Sequence, residues 1–340
     1  MAGVKPLLET IGALLPKGIK AWHASPHDFD KVDLSKIGTG QGAASYGPGF
    51  YAAESEAVSG RGGEYWKEFA NRGSSGENTA AEYLARAGFD RQKAAQTLRE
   101  RLAEPTTGIS EHNVNMQKRM RQEALSLLES DKHVGPRVYE LNLKADPRSF
   151  LQWDEPLAGQ KVWERLDPKV RSSIDEFAES KGHNAFSDAP EEYKGHELWR
   201  ALKHHDVHES LPPVIGKSDW YKGNTDEAQH SMEYLKSLDA PGIRYLDQQS
   251  RPLGPANDPA AQRQIAALTA NIERLRSLGD NLKASELDQT RARLQRGLDT
   301  PRTYNYVVNN PDIIEIMRKL AIPGMVTGGA ASVYQPQGQQ

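Results

Sequence analysis

The chain has 340 residues, a hydrophobic content of 37% and a formal net charge of −3, a composition that can bury a sizeable core. Lysine and arginine are dispersed in small groups, so the sequence has no basic stripe of the kind that binds a phosphate backbone. The chain contains no cysteine. This excludes disulfides, thiolate catalysis and cysteine-based metal sites, but it leaves the cellular compartment open.

The N-terminal segment predicts a short helix. Apolar residues recur at helix-like intervals between 5 and 15, before Pro16 and Gly18 end the pattern, so we assign residues 1–19 to an N-terminal helix. The segment lacks the continuous apolar core of a secretory signal, and no stretch of the chain approaches the ~18 apolar residues of a membrane span. We therefore expect a soluble protein without a signal peptide.

Two short strands and a helical region are predicted next. The strands are IKAWH at 19–23, which alternates, and GFYAA at 49–53, which follows a turn of glycine and proline. From about 77 to 130 the apolar residues are spaced by three, four or seven positions. This periodicity predicts a helical insertion at about 75–135.

The second half of the chain mixes both kinds of element. RVYELNLKAD at 137–146 alternates and ends before a proline, which makes it the strongest strand in the sequence. Helical patterns return at 162–180, 195–205 and 225–238. The runs GIRYLD, TYNYVV and IIEIM predict further strands. Strands interrupted by helices indicate an α+β fold.

Residues 260–298 predict an antiparallel helical hairpin, because isoleucines and leucines repeat at helical spacing on both sides of an LGDN turn. We assign a second helical insertion to about 255–300. Its apolar seam could recruit a partner, but a seam this short is normally buried within its own chain. The last residues, 321–340, are rich in Gly, Ala, Gln and Pro and predict a flexible tail.

The run AWHASPHDFDKVDLSKIGTGQGAASYGPGFYAAES, at 21–55, combines glycines, aromatic residues and histidine. A ligand that lies flat against the backbone requires glycines, because a Cβ would hold it away, and a planar ring on that ligand favours an aromatic face. YGPGFY offers both, and His23 on the preceding strand can donate a hydrogen bond to a ribose hydroxyl while neutral. Each feature alone has an ordinary structural explanation, since glycines form turns and histidines pack.

Together these residues resemble the His-x-Ser opening, the long loop and the YGxGxYFA strand of ADP-ribosyltransferases of the poly-ADP-ribose polymerase and diphtheria-toxin type. Within that group the chain resembles the transferase-like domains of large polyvalent proteins of phages and mobile elements. Looser likenesses follow in the order such domains show, in YELNLKADPRSFLQWDEPL, GHELWRAL, APGIRYLDQQSR and YNYVVNNPDIIEI. The resemblance implies an ADP-ribosyltransferase-type split β-sandwich over residues 20–320, with the large helical insertions given above.

The resemblance also implies a set of NAD contacts. His23 would bind the nicotinamide ribose and Tyr51 would stack on the nicotinamide ring. Ala24 stands where the polymerases usually have a glycine whose backbone holds the carboxamide, and it could offer the same backbone. The other implied contacts are Ser25 at the adenosine-side ribose, Gly49 in the glycine turn, Ser59 at the carboxamide and Tyr65 as a second stacking ring, although the family's spacing points nearer to Gly62.

Asn305 departs from the family pattern, because it occupies the position of the catalytic glutamate. That glutamate accepts a hydrogen bond from the ribose 2′-OH and stabilises an oxocarbenium-like transition state by its charge, whereas Asn keeps only the hydrogen bond. Losing such a contact typically costs about 10² to 10³ in rate, so polymer synthesis is not expected. Asp247, at the end of a neighbouring strand, is our candidate for the missing carboxylate, and turn capping is its alternative role.

The resemblance implies a mono-ADP-ribosyltransferase. Such a transferase cleaves NAD, its co-substrate, releases nicotinamide and passes ADP-ribose to a macromolecular acceptor, with a protein as the first choice. The alternative is a non-catalytic NAD- or ADP-ribose-binding interaction module of a phage or mobile element, because Asn replaces the acid. Either protein would act in the cytoplasm of a bacterial host, packaged in a virion or delivered as a toxin-like effector.

Other partners are not expected. His204 and His208 stand at i, i+4 spacing and could form a two-histidine metal pair, but no third ligand follows at a recognised spacing. We therefore predict no metal ion. Neither membrane association nor stable nucleic-acid binding is predicted, because the sequence has no apolar span and no basic stripe.

Overall fold

The computed structural model describes residues 18–36, 45–104, 110–212, 226–248, 250–251, 258–278 and 280–320. Its strands in chain order are β1 Ile19–Ser25, β2 Phe50–Ala53, β3 Arg137–Leu143, β4 Leu151–Gln152, β5 Gly242–Leu246, β6 Tyr304–Val308 and β7 Ile314–Leu320. The predicted strands and the α+β class are confirmed. The predicted helix at 5–15 and the predicted tail at 321–340 lie outside the described residues.

Most helices follow the predicted helical regions, but the two short helices between β2 and residue 74 were not predicted. They are α1 Glu56–Ser59, α2 Glu64–Ala70, α3 Ser75–Arg86, α4 Arg91–Ala103, α5 Glu111–Glu129, α6 Lys161–Glu164, α7 Pro168–Ser180, α8 Gly195–Leu202, α9 His205–His208, α10 Asp226–Ser237, α11 Pro259–Ser277 and α12 Asn281–Asp299. Ser74, Asp90 and Ser110 begin α3, α4 and α5, because each side chain accepts a hydrogen bond from the amide three residues on. Within the described part of the chain, no helix has both the length and the apolar content that a membrane crossing needs.

The chain divides into two compact units, of which the first comprises Met1–Val32, Ala52–Lys144 and Asp312–Gln340. In this unit β1 pairs antiparallel with β2 and with β3, and β7 pairs antiparallel with β3. Trp22 and Ala24 of β1 pack against α2 to α5 in a core that includes Trp66, Leu84, Leu98 and Leu128. His23 therefore lies on the other face of the strand, since successive side chains alternate.

The second unit comprises Asp33–Tyr51 and Ala145–Pro311. Here β4 pairs parallel with β5, and β5 pairs antiparallel with β6, with Tyr245 opposite Asn305. The core of this unit includes Leu151, Trp163, Ile174, Trp199, Leu202, Met232, Ile243 and Val307. The predicted hairpin is confirmed as α11 and α12, in which Ile272 and Ala284 are the buried hydrophobic residues of the described positions.

Candidate functional site

His23 is half-buried on β1 and is bordered by two aromatic rings of the first unit. Its ring centroid lies 6.0 Å from that of Phe29 and 6.2 Å from that of Tyr139. Phe29 and Tyr139 stack on each other at 4.1 Å. The Tyr139 hydroxyl donates to the carbonyl of His27 at 2.9 Å and accepts from the amide of Phe29 at 3.0 Å. These contacts fix the surroundings of the imidazole.

The side chains of Ala24 and Ser25, which follow His23, lie on opposite faces of β1. Ala24 is buried in the helical core, so only its backbone is left for the carboxamide contact that the resemblance implies. Ser25 shares the face of His23, because side chains alternate along a strand. Its hydroxyl accepts a hydrogen bond from the amide of His27 at 3.1 Å and keeps its proton for a second partner.

Ser59 and Tyr65 also belong to the first unit, but their environments differ. Ser59 is the last residue of α1 and is buried, whereas the ring of Tyr65 on α2 is exposed. Exposure suits a ring that stacks on a ligand, and burial limits the hydroxyl of Ser59 to an enclosed ligand group. The first unit thus carries five of the predicted site residues, and the second carries Gly49, Tyr51, Asp247 and Asn305.

The glycines of YGPGFY are required by packing within the second unit. Gly47 has a φ of +103°, and a Cβ there would lie 2.8 Å from side-chain atoms of Met232 and Trp199. A Cβ on Gly49 would lie 2.5 Å from Cγ1 of Val307. Such distances are too short for real Cβ contacts, so these positions need glycine whether or not a ligand binds. Packing therefore explains Gly47 and Gly49, and these glycines do not by themselves indicate a ligand.

Tyr51 is anchored at both ends of its side chain. Its ring is half-buried against the core of the second unit, and its hydroxyl donates to the carbonyl of Gly47 at 2.8 Å. The hydrogen bond ties the ring to the glycine turn and fixes its plane. A fixed ring loses little conformational entropy on stacking, which suits the predicted role.

Asn305 is 7% exposed on β6. Its Oδ1 is enclosed and accepts no hydrogen bond from the described part of the chain. A buried acceptor that lacks a donor costs about 1 to 3 kcal/mol. Asn305 therefore keeps an acceptor that a ligand hydroxyl could satisfy.

Asp247 is 1% exposed and its carboxylate is engaged at both oxygens. Oδ1 accepts from the amide of Ser250 at 2.7 Å, and Oδ2 accepts from the hydroxyl of Thr303. The backbone carbonyl of Asp247 also accepts from the amide of Arg251 at 3.0 Å. These contacts favour the turn-capping role over the role of missing acid.

A group of aromatic side chains near the end of β4 was not singled out by the sequence reasoning. Tyr46 stacks on Tyr245 with ring centroids 3.7 Å apart, and Trp153 meets Tyr46 edge-on at 4.8 Å. Arg251 donates a hydrogen bond to the Tyr46 hydroxyl. Burial raises the pKa of Tyr46, so the phenol stays protonated at neutral pH.

Two carboxylic acids, Asp154 and Glu155, follow Trp153 and were also missed. Oδ2 of Asp154 accepts a hydrogen bond from the amide of Leu246 at 2.7 Å. Burial raises the pKa of both carboxyl groups, and the charge of Arg251 partly opposes this effect at Asp154. Raised carboxyl pKa values are typical of acids and bases in active sites. The only local signal was the pair of adjacent acids in QWDEP.

His204 and His208 do not form the i, i+4 pair that their spacing would allow. Nε2 of His208 lies 2.9 Å from Nδ1 of His230, and Nε2 of His230 donates to the carbonyl of Pro212 at 3.0 Å. The ring of His204 packs against Phe177 instead. Over the described ranges, no group of three or more His, Asp or Glu side chains could hold a metal ion.

Comparison with known proteins adds no relative to this description. No family model matches the chain, and no curated protein or solved structure is significantly similar to it.

Proposed function

We propose that the protein is a mono-ADP-ribosyltransferase that uses NAD as co-substrate and transfers ADP-ribose to a macromolecular acceptor, with a protein as the first choice. The observation that carries the proposal is the arrangement of HAS on β1. His23 and Ser25 share one face of the strand, while Ala24 is buried in the helical core. This alternation supports a binding role for the two polar side chains and a packing role for the alanine.

The fold that we propose is the ADP-ribosyltransferase-type split β-sandwich with helical insertions. The α+β content supports it, and so do the histidine on β1 and the tyrosine on β2. Residues 20–320 would form this domain. The two helical regions, α3 to α5 and α11 to α12, would be the insertions.

In the proposed reaction the bond between ribose C1′ and the nicotinamide nitrogen breaks. Its electron pair leaves with nicotinamide, which becomes neutral, and the ribose develops oxocarbenium character. A nucleophile of the acceptor then forms a bond to C1′ and loses its proton. His23 would donate a hydrogen bond to a ribose hydroxyl, Tyr51 would stack on the nicotinamide, and Oδ1 of Asn305 would accept from the 2′-OH.

A non-catalytic NAD-binding module is the second candidate. Two observations favour it: Asn305 is neutral, and both carboxylate oxygens of Asp247 are engaged in a turn. Both candidates require NAD binding, whereas only the transferase releases nicotinamide. The two are therefore separable by one assay.

The test is incubation with NAD labelled in the adenylate part, together with a bacterial lysate, followed by measurement of free nicotinamide and labelled macromolecule. We expect the wild type to produce both, and His23→Ala to lower both at least tenfold. His27→Ala is the matched control, since His27 is exposed four residues away, and it should behave as the wild type. NAD binding without release would favour the module, and absence of NAD binding would contradict both candidates.

A further inference from the structure

A cavity of about 510 Å³ lies beside the helical core of the first unit, and the residues that line it all belong to this unit. Ligand-binding cavities typically measure about 300 to 1,000 Å³. Its walls come from the residue after β1, the turn between α2 and α3, the end of α5 and the segment 132–137 that leads into β3. Ala70 and Val134 belong both to the cavity lining and to the core in which Ala24 packs. The cavity is therefore distinct from the predicted NAD contact of His23, which lies on the other face of β1.

Hydrogen bonds and packing fix the segment 132–137. The guanidinium of Arg91 donates to the carbonyl of Lys132 at 2.9 Å, and the indole Nε1 of Trp66 donates to the carbonyl of Pro136 at 2.9 Å. Gly135 has a φ of +77°, and a Cβ there would lie 2.7 Å from Cζ2 of Trp66, so this turn requires glycine. Because this wall of the cavity is already held in place, a ligand does not have to order it, which favours binding.

The charged side chains of the lining are mostly basic. Among the described residues that line the cavity, Arg72, Lys132 and Arg137 are cations and Glu77 is an anion. The carboxylate of Glu77 takes part in the capping box of α3. Burial lowers the pKa of His133, and the nearby charge of Arg137 adds to this effect, so the imidazole is neutral at neutral pH. The lining thus carries more positive than negative charge, which favours an anionic ligand.

The cations of the lining differ in their ion pairs. Arg72 pairs with Glu68 on α2, and Nε of Arg137 pairs with Asp28 at 3.1 Å. Lys132 is exposed and forms no ion pair over the described part of the chain. The pairing of Arg137 through Nε leaves its two terminal nitrogens as donors, and both guanidinium and ammonium groups bind phosphate oxygens. Lys132 and Arg137, at the two ends of the segment 132–137, are therefore the groups that an anion would contact.

The remaining part of the lining is largely apolar. It includes Pro26, Phe69, Leu127, Val134 and Pro136, of which Phe69 and Leu127 are partly buried against the helical core. An inorganic anion would leave these surfaces in contact with water, whereas a ligand with an apolar body would cover them. The ring of Phe69 also offers a partner for an aromatic ligand. The lining thus suits a molecule that has a negative charge at one end and an apolar or aromatic group at the other.

We propose that this cavity binds a phosphate monoester with an aromatic or apolar body. The phosphate contacts Lys132 and Arg137, and the body packs against Phe69 and Leu127. The inference goes beyond the proposed transferase and does not depend on it, because none of the predicted NAD contacts lines the cavity.

The test is calorimetric titration of the full chain with phenyl phosphate, a simple probe that has both a phosphate and an aromatic body. Inorganic phosphate and phenol are the partial probes, each with one of the two groups. We expect phenyl phosphate to saturate one site and to bind at least about fivefold more tightly than either partial probe, because each of these lacks half of the contacts. Lys132→Gln should weaken binding of phenyl phosphate by about fivefold to tenfold, since it removes a charged donor to the phosphate.

Lys118→Gln is the matched control. Lys118 is exposed on α5 outside the cavity lining, so its variant makes the same change of charge and should bind phenyl phosphate within about twofold of the wild type. Phe69→Ala should weaken binding of phenyl phosphate and leave that of inorganic phosphate unchanged, with melting temperatures measured to confirm that each variant folds.

Three results would each overturn the proposal. They are the absence of saturable binding of phenyl phosphate by the wild type, equal affinities of the wild type for phenyl phosphate and inorganic phosphate, and equal affinities of Lys132→Gln and Lys118→Gln for phenyl phosphate. The titrations contain no NAD, so none of these results bears on the proposed transferase.

Discussion

Two carboxylates beside the central strands of the two units illustrate how the same group can serve different purposes. Glu140 on β3 is 9% exposed and lies between Lys20 and Arg318, with Nζ of Lys20 at 3.0 Å. Burial alone would raise the pKa of Glu140, but hydrogen bonds from the two cations bring it below its ordinary value. Asp154 accepts from one backbone amide, and burial raises its pKa.

The two carboxylates differ in their hydrogen-bond partners. A carboxylate that is hydrogen-bonded to two cations is held ionised and gains little by accepting a proton. A carboxylate with one amide partner and one available oxygen keeps its basicity. Glu140 therefore connects β1, β3 and β7 of the first unit, whereas Asp154 of the second unit has no comparable pair of cationic hydrogen-bond donors among the described residues.

Removal of the charge of Glu140 tests whether its pairing with Lys20 and Arg318 stabilises the fold. We expect Glu140→Gln to lower the free energy of unfolding by about 2 kcal/mol, because hydrogen bonds to charged groups contribute about 1.5 to 3 kcal/mol. The measurement is denaturant unfolding at neutral pH. Glu129→Gln is the control, since Glu129 pairs with Arg99 in an exposed ion pair and should change stability by less than about 1 kcal/mol. Equal losses of unfolding free energy in the two variants would show that the pairing of Glu140 stabilises the fold no more than an exposed ion pair does.

The sign of the pH dependence at Glu140 follows from its lowered pKa. The stabilisation is fully present above the unfolded value near 4.5, and it is lost as the pH falls through the folded value. The difference between the wild type and Glu140→Gln should therefore shrink on acidification.

Asn305→Glu tests whether a carboxylate on β6 increases the rate of the proposed reaction. A carboxylate beside the ribose 2′-OH should raise nicotinamide release about tenfold, because it stabilises the cationic transition state. Asn305→Gln is the matched control, since it adds the same methylene group without charge, and it should give no gain. Equal release by both variants would show that Asn305 does not face the ribose. Burial of the new carboxylate should also lower the melting temperature of Asn305→Glu below that of Asn305→Gln.

Local signals in the sequence predicted the parts of the molecule that depend on neighbouring residues. The alternation in IKAWH predicts β1, and the apolar residues at helical spacing predict α3 to α5. The two carboxylates of the comparison depend on distant residues instead. Arg318 lies 178 positions from Glu140, and Leu246 lies 92 positions from Asp154.

Dependence on distant residues also explains why the sequence left two interpretations of Asp247 open. From the sequence, an acid at the end of a strand is either a turn cap or a catalytic group. The hydroxyl of Thr303, 56 positions away, takes one of its oxygens, which favours the cap. No spacing rule in a single sequence supplies such a partner, because it depends on how β5 and β6 pair.

The smallest expected effect is the change in the free energy of unfolding caused by Asp154→Asn. It should be opposite in sign to the change caused by Glu140→Gln. Because burial raises the pKa of Asp154 above its unfolded value near 3.8, the folded protein holds this proton more tightly than the unfolded chain. The stability that Asp154 contributes is therefore greatest at low pH and is lost as the pH rises through the folded value. The ionised form therefore opposes folding, so above the folded pKa Asp154→Asn should raise the free energy of unfolding, whereas Glu140→Gln lowers it.

The expected gain for Asp154→Asn is at most about 1 kcal/mol, since the side chain is partly solvated and solvent screens its charge. Denaturant unfolding from about pH 4 to about pH 7 should show the variant and the wild type converging on the acidic side. A variant that is less stable than the wild type at neutral pH would mean that the charge of Asp154 is paired as well as that of Glu140.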